Sequence, residues 1–88
     1  MLLAKVTGTV TATAKDARLT GHKLLVADLV DGAGQILAPG QVAVDTVGAG
    51  TGDTVVVTSG SAARMAAGLS TLPVDLSIIA IVDRVSLG

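Results

Sequence analysis

The 88-residue sequence contains no cysteine, phenylalanine, tyrosine or tryptophan, and all seven of its acidic residues are aspartate. Without cysteine there are no disulfides and no thiolate metal sites. A lone histidine, His22, rules out an imidazole cluster within one chain. A domain this small is hard to stabilise by its core alone, and the usual supplements are disulfides, a structural metal or oligomerisation. Of these only oligomerisation survives, beside an unusually well-packed aliphatic core. Aromatic side chains dominate the energetics of transient interfaces. Their absence points instead to an interface resembling a divided aliphatic core, as obligate oligomers have.

Charge is scarce as well. Six Lys and Arg against seven Asp leave a net charge of −1, so no basic excess attracts nucleic acid or anionic lipid. Single-stranded nucleic acid further requires stacking platforms and a basic groove, and neither is present. The longest apolar stretch, Leu76 to Val82, is interrupted by Ser77 and falls far below the ~20 residues of a membrane-spanning helix. Met1 to Lys5 lacks a basic segment followed by a long apolar one, so no signal peptide is expected and the location expected is cytoplasmic.

What remains is Val, Ala, Leu, Ile and Met, half of all residues. Leu3 to Ala14 alternates with period two and reads as a strand, with Gly8 marking a bulge or bend. Lys15 to Arg18 is a loop that Gly21 closes. Lys23 to Val30 is a second strand, stopped by the turn Asp31-Gly32-Ala33-Gly34. Gln41 to Val47, preceded by Pro39-Gly40, is a third. Thr54 to Thr58 is a fourth, whose nearly continuous valines predict burial on both faces. Ser61 to Ala67 is a two-turn helix with a Ser N-cap and a stop at Gly68. Leu76 to Val82, introduced by Pro73 and Asp75, is the last strand. The order predicts an all-β fold: one domain over residues 1–88, a small OB-like five-stranded barrel with one short helix before the last strand. A β-sandwich is the alternative.

The candidate chemistry reduces to structural roles. Gly48-Ala49-Gly50 opens like a dinucleotide-binding loop, but Asp53 holds the last glycine position and a strand follows, so no helix N-terminus meets a phosphate. Asp45, Asp53, Asp75 and Asp83 lie at strand ends or turns, where Asp caps backbone N–H groups; nothing supplies the cleft that catalytic carboxylates need. His22 reads as a solvated loop residue. Ser59-Gly60-Ser61 lacks the nucleophile-elbow frame, and a helix cap accounts for both serines. No catalytic residue, metal site or cofactor is expected.

Several blocks together resemble a known family. They are Gly8-Thr9-Val10 with Lys15-Asp16; Gly21 to Val26; Val42 to Asp53, carrying Asp45-Thr46-Val47-Gly48-Ala49-Gly50-Thr51-Gly52-Asp53; Ser59-Gly60-Ser61-Ala62-Ala63-Arg64; Pro73-Val74-Asp75; and Ile79 to Asp83. From Met1 to about Val85 the chain resembles the EutN/CcmL family of bacterial microcompartment vertex proteins. It departs at Ala62, where Ser is common, and the stretch from Asp31 to Gln41 varies within the family. The resemblance implies a non-enzymatic shell protein without cofactor: a homopentamer that caps the vertices of a polyhedral shell beside hexameric and trimeric shell proteins. The other functional class is a small ring with a binding or carrier role and no shell.

Fivefold repetition then suggests roles for particular residues. Ser59, Gly60 and Ser61 are expected near the axis, lining any pore with neutral polar groups. Gly48, Gly50 and Gly52 are expected to serve backbone conformation or close subunit approach. Gly50→Val is expected to cost about 1–3 kcal/mol if Gly50 adopts a positive φ. Arg64 is the candidate for an intersubunit ion pair with Asp45 or Asp75; the alternative is a solvated helix charge.

Overall fold

The computed structural model describes residues 1–13, 15–66 and 74–88. Five strands, β1 (Leu2–Val10), β2 (Lys23–Val30), β3 (Ile36–Asp45), β4 (Thr54–Ser59) and β5 (Leu76–Val82), close into a barrel in the order β1-β2-β3-β5-β4. A short helix, α1 (Gly60–Ala66), leads from β4 towards β5, and a 3₁₀ turn over Ala17–Leu19 stands where the sequence suggested plain loop. The all-β barrel with a helix before the last strand is the architecture expected from the sequence, and the sandwich alternative falls.

Alternation places the core. In β1, Ala4 and Val6 point inward while Lys5, Thr7 and Thr9 face solvent. They meet Leu25 and Ala27 of β2, Ala43 of β3, Val55 and Val57 of β4, and Leu76 and Ile78 of β5. Alanine and valine predominate because the interior of a five-stranded barrel is narrow; it can be filled without an aromatic ring. A second cluster, Val44, Ala63 and Val74 with Leu19 and Leu24 against it, seats α1 on the barrel. There the buried Ser77 Oγ donates to the Ala63 carbonyl at 2.6 Å, satisfying a carbonyl in the last described turn of α1.

Four register slips shape the sheet among the described residues: one between β1 and β2, two between β2 and β3 (the first of them between Val30 and Leu29), and one between Val56 and Val57 of β4 against β5. The β1–β2 register slips between Val6 and Gly8, the bulge that Gly8 signalled. The β2–β3 register slips at Pro39-Gly40, where Ala38 faces Leu29 and Gln41 faces Ala27. Gly40 there has φ of +65° and its N–H donates to Asp28 Oδ1 at 2.8 Å. This bulge corrects the expected start of β3. The strand begins at Ile36, not Gln41, because Pro39 sits where a ladder donor is not needed.

Three other expectations change. β1 ends at Val10, short of Ala14. Val56 is only half-buried, so the valine run of β4 is covered on its inner face alone within one chain. The helix opens at Gly60, directly after β4 and without a loop. The expected helix end at Ala67, the stop at Gly68 and the lead-in at Pro73 lie outside the described residues. β5 meets β3 in parallel across only Val44–Ser77 and Asp45–Ile78. Thr46 reinforces this narrow seam, its N–H and its Oγ1 both donating to the Ile78 carbonyl, at 3.3 and 2.6 Å.

Candidate functional site

The glycine turn after β3 is tied at several points. Asp45 Oδ1 accepts from the backbone N–H of Val47 and of Gly48, each at 3.1 Å. Asp53 Oδ2 accepts from Gly50 N at 2.8 Å, and Asp53 N donates to the Gly50 carbonyl. Gly52 N donates to the Val6 carbonyl and Val6 N to the Asp53 carbonyl, both at 2.9 Å. The turn therefore docks on β1 beside its bulge, with Ala49 fully buried in the core. Asp45 and Asp53 act as turn caps, the role their positions suggested.

Gly48 and Gly52 occupy positive φ, +81° and +95°. Gly50 does not, and a Cβ built there meets only Asp53 Oδ2 at 4.0 Å. The penalty expected of Gly50→Val on conformational grounds thus belongs to its neighbours. Gly48→Val is expected to lose about 1–3 kcal/mol, and Gly50→Ala less than about 1 kcal/mol. Equal losses in chemical denaturation would refute this assignment.

Asp45 does more than cap. Its side chain is 1% exposed, and Oδ2 lies 3.6 Å from Lys23 Nζ with no hydrogen-bond partner of its own. Lys23 Nζ donates to the Ala49 carbonyl at 2.6 Å. Lys23 therefore fastens the end of β3 and the glycine turn together. The sequence reading took Lys23 only as the first residue of a strand. Regular pairing continued from Val30–Ile36 would set Ala43 opposite Lys23; the two register slips bring Asp45 there instead. With its carboxylate enclosed by its own chain, Asp45 is not placed to meet Arg64 of a neighbour.

Ser59, Gly60 and Ser61 form an exposed corner between β4 and α1. Gly60 turns it with φ of +62°, and its N–H donates to the Asp75 carbonyl at 3.0 Å. Asp75 is exposed and lies beside the start of α1. Arg64 is half-buried and has no hydrogen-bond or ion-pair partner among the described residues. His22 is half-buried, its backbone N–H donating to Leu19 O. No group of three or more potential metal ligands occurs among the described residues. The one strongly perturbed carboxyl is Asp16: exposed, it is held down at about 2 by its hydrogen bonds from Arg18, whose guanidinium lies 2.7 Å away.

A cleft of about 450 Å³ opens on the outer face of β1 and β2. Leu3, Val30, Ile36 and Val85 line it, together with Lys5, Asp28 and Asp31. No helix among the described residues is long and apolar enough to cross a membrane.

The described residues thus form a small closed barrel whose polar groups serve turns and seams. The chain belongs to the EutN/CcmL family: the model of that family, described as ethanolamine utilisation protein EutN/carboxysome, matches residues 1–83. It is 45% identical over 86 residues to the carboxysome shell vertex protein CcmL of Thermosynechococcus vestitus, covering 98% of this chain and 87% of that protein. It is 44% identical over 88 residues to the bacterial microcompartment shell vertex protein EutN of Escherichia coli K12, covering 100% of this chain and 93% of that protein. Among solved structures it resembles GrpN, a pentameric microcompartment shell protein from Rhodospirillum rubrum, with a TM-score of 0.89, 42% identity and all of both chains covered. An ethanolamine utilization protein EutN superposes with a TM-score of 0.92 at 44% identity, covering 99% of this chain and 91% of that one.

Proposed function

We propose that this chain is a structural vertex protein of a bacterial microcompartment shell, five copies closing into a ring that caps a vertex of the polyhedron. The observation that carries this reading is the match over nearly the whole chain to proteins named as shell vertex proteins. The fold fits the role. A sheet of hexagonal tiles is flat, and pentagons give it the curvature to close. The ring is the oligomer that an 88-residue chain without disulfides calls for. Its partners in the shell are hexameric and trimeric shell proteins; nucleic acid and membrane are not partners. The role is mechanical, without catalysis or cofactor, and the working location is the shell inside the cell.

Within the ring, Ser59, Gly60 and Ser61 face the axis, where five copies of an exposed polar corner line the opening. A ring structure with Ser59 and Ser61 on the outer perimeter would overturn that placement. Arg64 and Asp75 are the charges of the subunit contact on the α1 side.

Native mass spectrometry of the purified chain is expected to give five times the chain mass. Co-expression with hexamer-forming shell proteins is expected to give closed polyhedra, and its omission elongated or leaky ones. A single-chain mass, or closed shells without it, would overturn the proposal.

A further inference from the structure

A cyclic ring joins two unlike faces, since each copy presents one surface to the next copy and a different one to the last. The barrel carries two such surfaces. One is the cleft, lined by Leu3 and Lys5 of β1, Asp28 and Val30 of β2, and Ile36 at the start of β3. The other is α1, which packs on β4 and β5. Thr54, the first residue of β4, also lines the cleft, whereas α1 follows the last residue of β4. The two surfaces are therefore about 17 Å apart along that strand, and one copy can use both at once.

The surfaces are complementary in chemistry. On α1, Met65 is 74% exposed, next to Arg64, which has no partner among the described residues. The cleft offers aliphatic walls, with Ile36 59% exposed at its rim. It also holds two carboxylates against the single cation of Lys5. Each carboxylate uses one oxygen locally. Asp28 Oδ1 accepts from Gly40 N, and Asp31 Oδ1 accepts from Ala33 N and Gln35 N. The second oxygen of each is left for a donor from outside, and a guanidinium beside a flexible apolar side chain is such a donor. Asp75 lies on the same side of the barrel as Arg64, so the acid that meets Arg64 across the contact comes from the opposite face.

We propose that the cleft is the acceptor half of the contact between ring neighbours, and that α1 of a second copy fills it. Met65 enters between the aliphatic walls, and Arg64 meets Asp28 and Asp31. This rests on the ring proposed above, and the test separates the two. Because the chain has no cysteine, engineered thiols are its only ones, and a disulfide forms only where two Cα atoms come within about 7 Å. Both substituted side chains are exposed, so neither change disturbs the core. The variant carrying Ile36→Cys and Met65→Cys is expected, on oxidation, to give a denaturing-gel ladder of two to five linked chains. Either single variant is expected to stay single, and an equal mixture of the two singles to stop at pairs. A fivefold native mass with no ladder would overturn this contact and leave the ring standing. A single-chain mass for the unmodified protein would overturn the ring itself.

Discussion

Ile78→Ala is expected to lower stability by about 2–5 kcal/mol, a fall in melting temperature of roughly 10 °C or more for a chain of this size. Ile78 is fully buried and stands at the narrowest seam of the barrel. It is one of two β5 residues paired with β3, and its carbonyl takes both hydrogen bonds from Thr46. Truncation leaves a cavity in a core of Val, Ala and Leu side chains, and its cost depends on how far they can collapse into it. Ile81, on the same strand but 43% exposed, supplies the control: Ile81→Ala is expected to cost well under half as much. Urea unfolding at matched protein concentration measures both, since ring formation makes apparent stability concentration-dependent. Equal losses would mean that the seam is not where the barrel is held.

Asp45→Ala is expected to cost about 2–3 kcal/mol, and to do so within the single chain. The substitution removes both hydrogen bonds into the glycine turn and the carboxylate beside Lys23. The ion pair itself supplies the smaller part, because Lys23 is 51% exposed and water screens it. Asp45→Asn sharpens the test. The retained carbonyl oxygen keeps the turn bonds, but the amide places N–H donors 3.6 Å from an ammonium in place of an anion. An intermediate loss is therefore expected. A residue serving only the subunit contact would behave differently, with a dissociated ring and an unchanged unfolding midpoint for the free chain. That result would restore Asp45 to the interface.

The fate of Asp45 shows where sequence reasoning stops. Its place at a strand end made it a turn cap, and it is one. Its ion-pair partner was hidden because strand register is cumulative. The two slips of β3 against β2, one between Val30 and Leu29 and one at Pro39-Gly40, shift every later pair, and together they are the difference between Ala43 and Asp45 opposite Lys23. Gly50 shows the same limit at the level of one dihedral. Three glycines two residues apart look alike in sequence, yet only Gly48 and Gly52 take the left-handed conformation. Hydrogen bonds that the Asp45 and Asp53 carboxylates accept from Gly48 N and Gly50 N hold the backbone of the turn between them.

Other features were legible because they depend on local chemistry. The absence of cysteine and aromatics removed whole classes of function before any strand was placed. Period-two alternation in Leu3 to Ala14 separated Ala4 and Val6 from Lys5, Thr7 and Thr9, and Gly8 marked a bend that the register confirms. The motif blocks were specific enough to identify the family. Composition, alternation and motif are properties of neighbouring residues, so the sequence determined the all-β class, the strand count and the family by itself. The tertiary structure decided which side chains meet. Closing the barrel brings β3 to β5 across residues some thirty positions apart, encloses the Asp45 carboxylate beside Lys23, and leaves Arg64 without a partner among the described residues on one side of the molecule and a carboxylate-lined cleft on another. Those encounters depend on register and closure, which arise only when all five strands pack around one core.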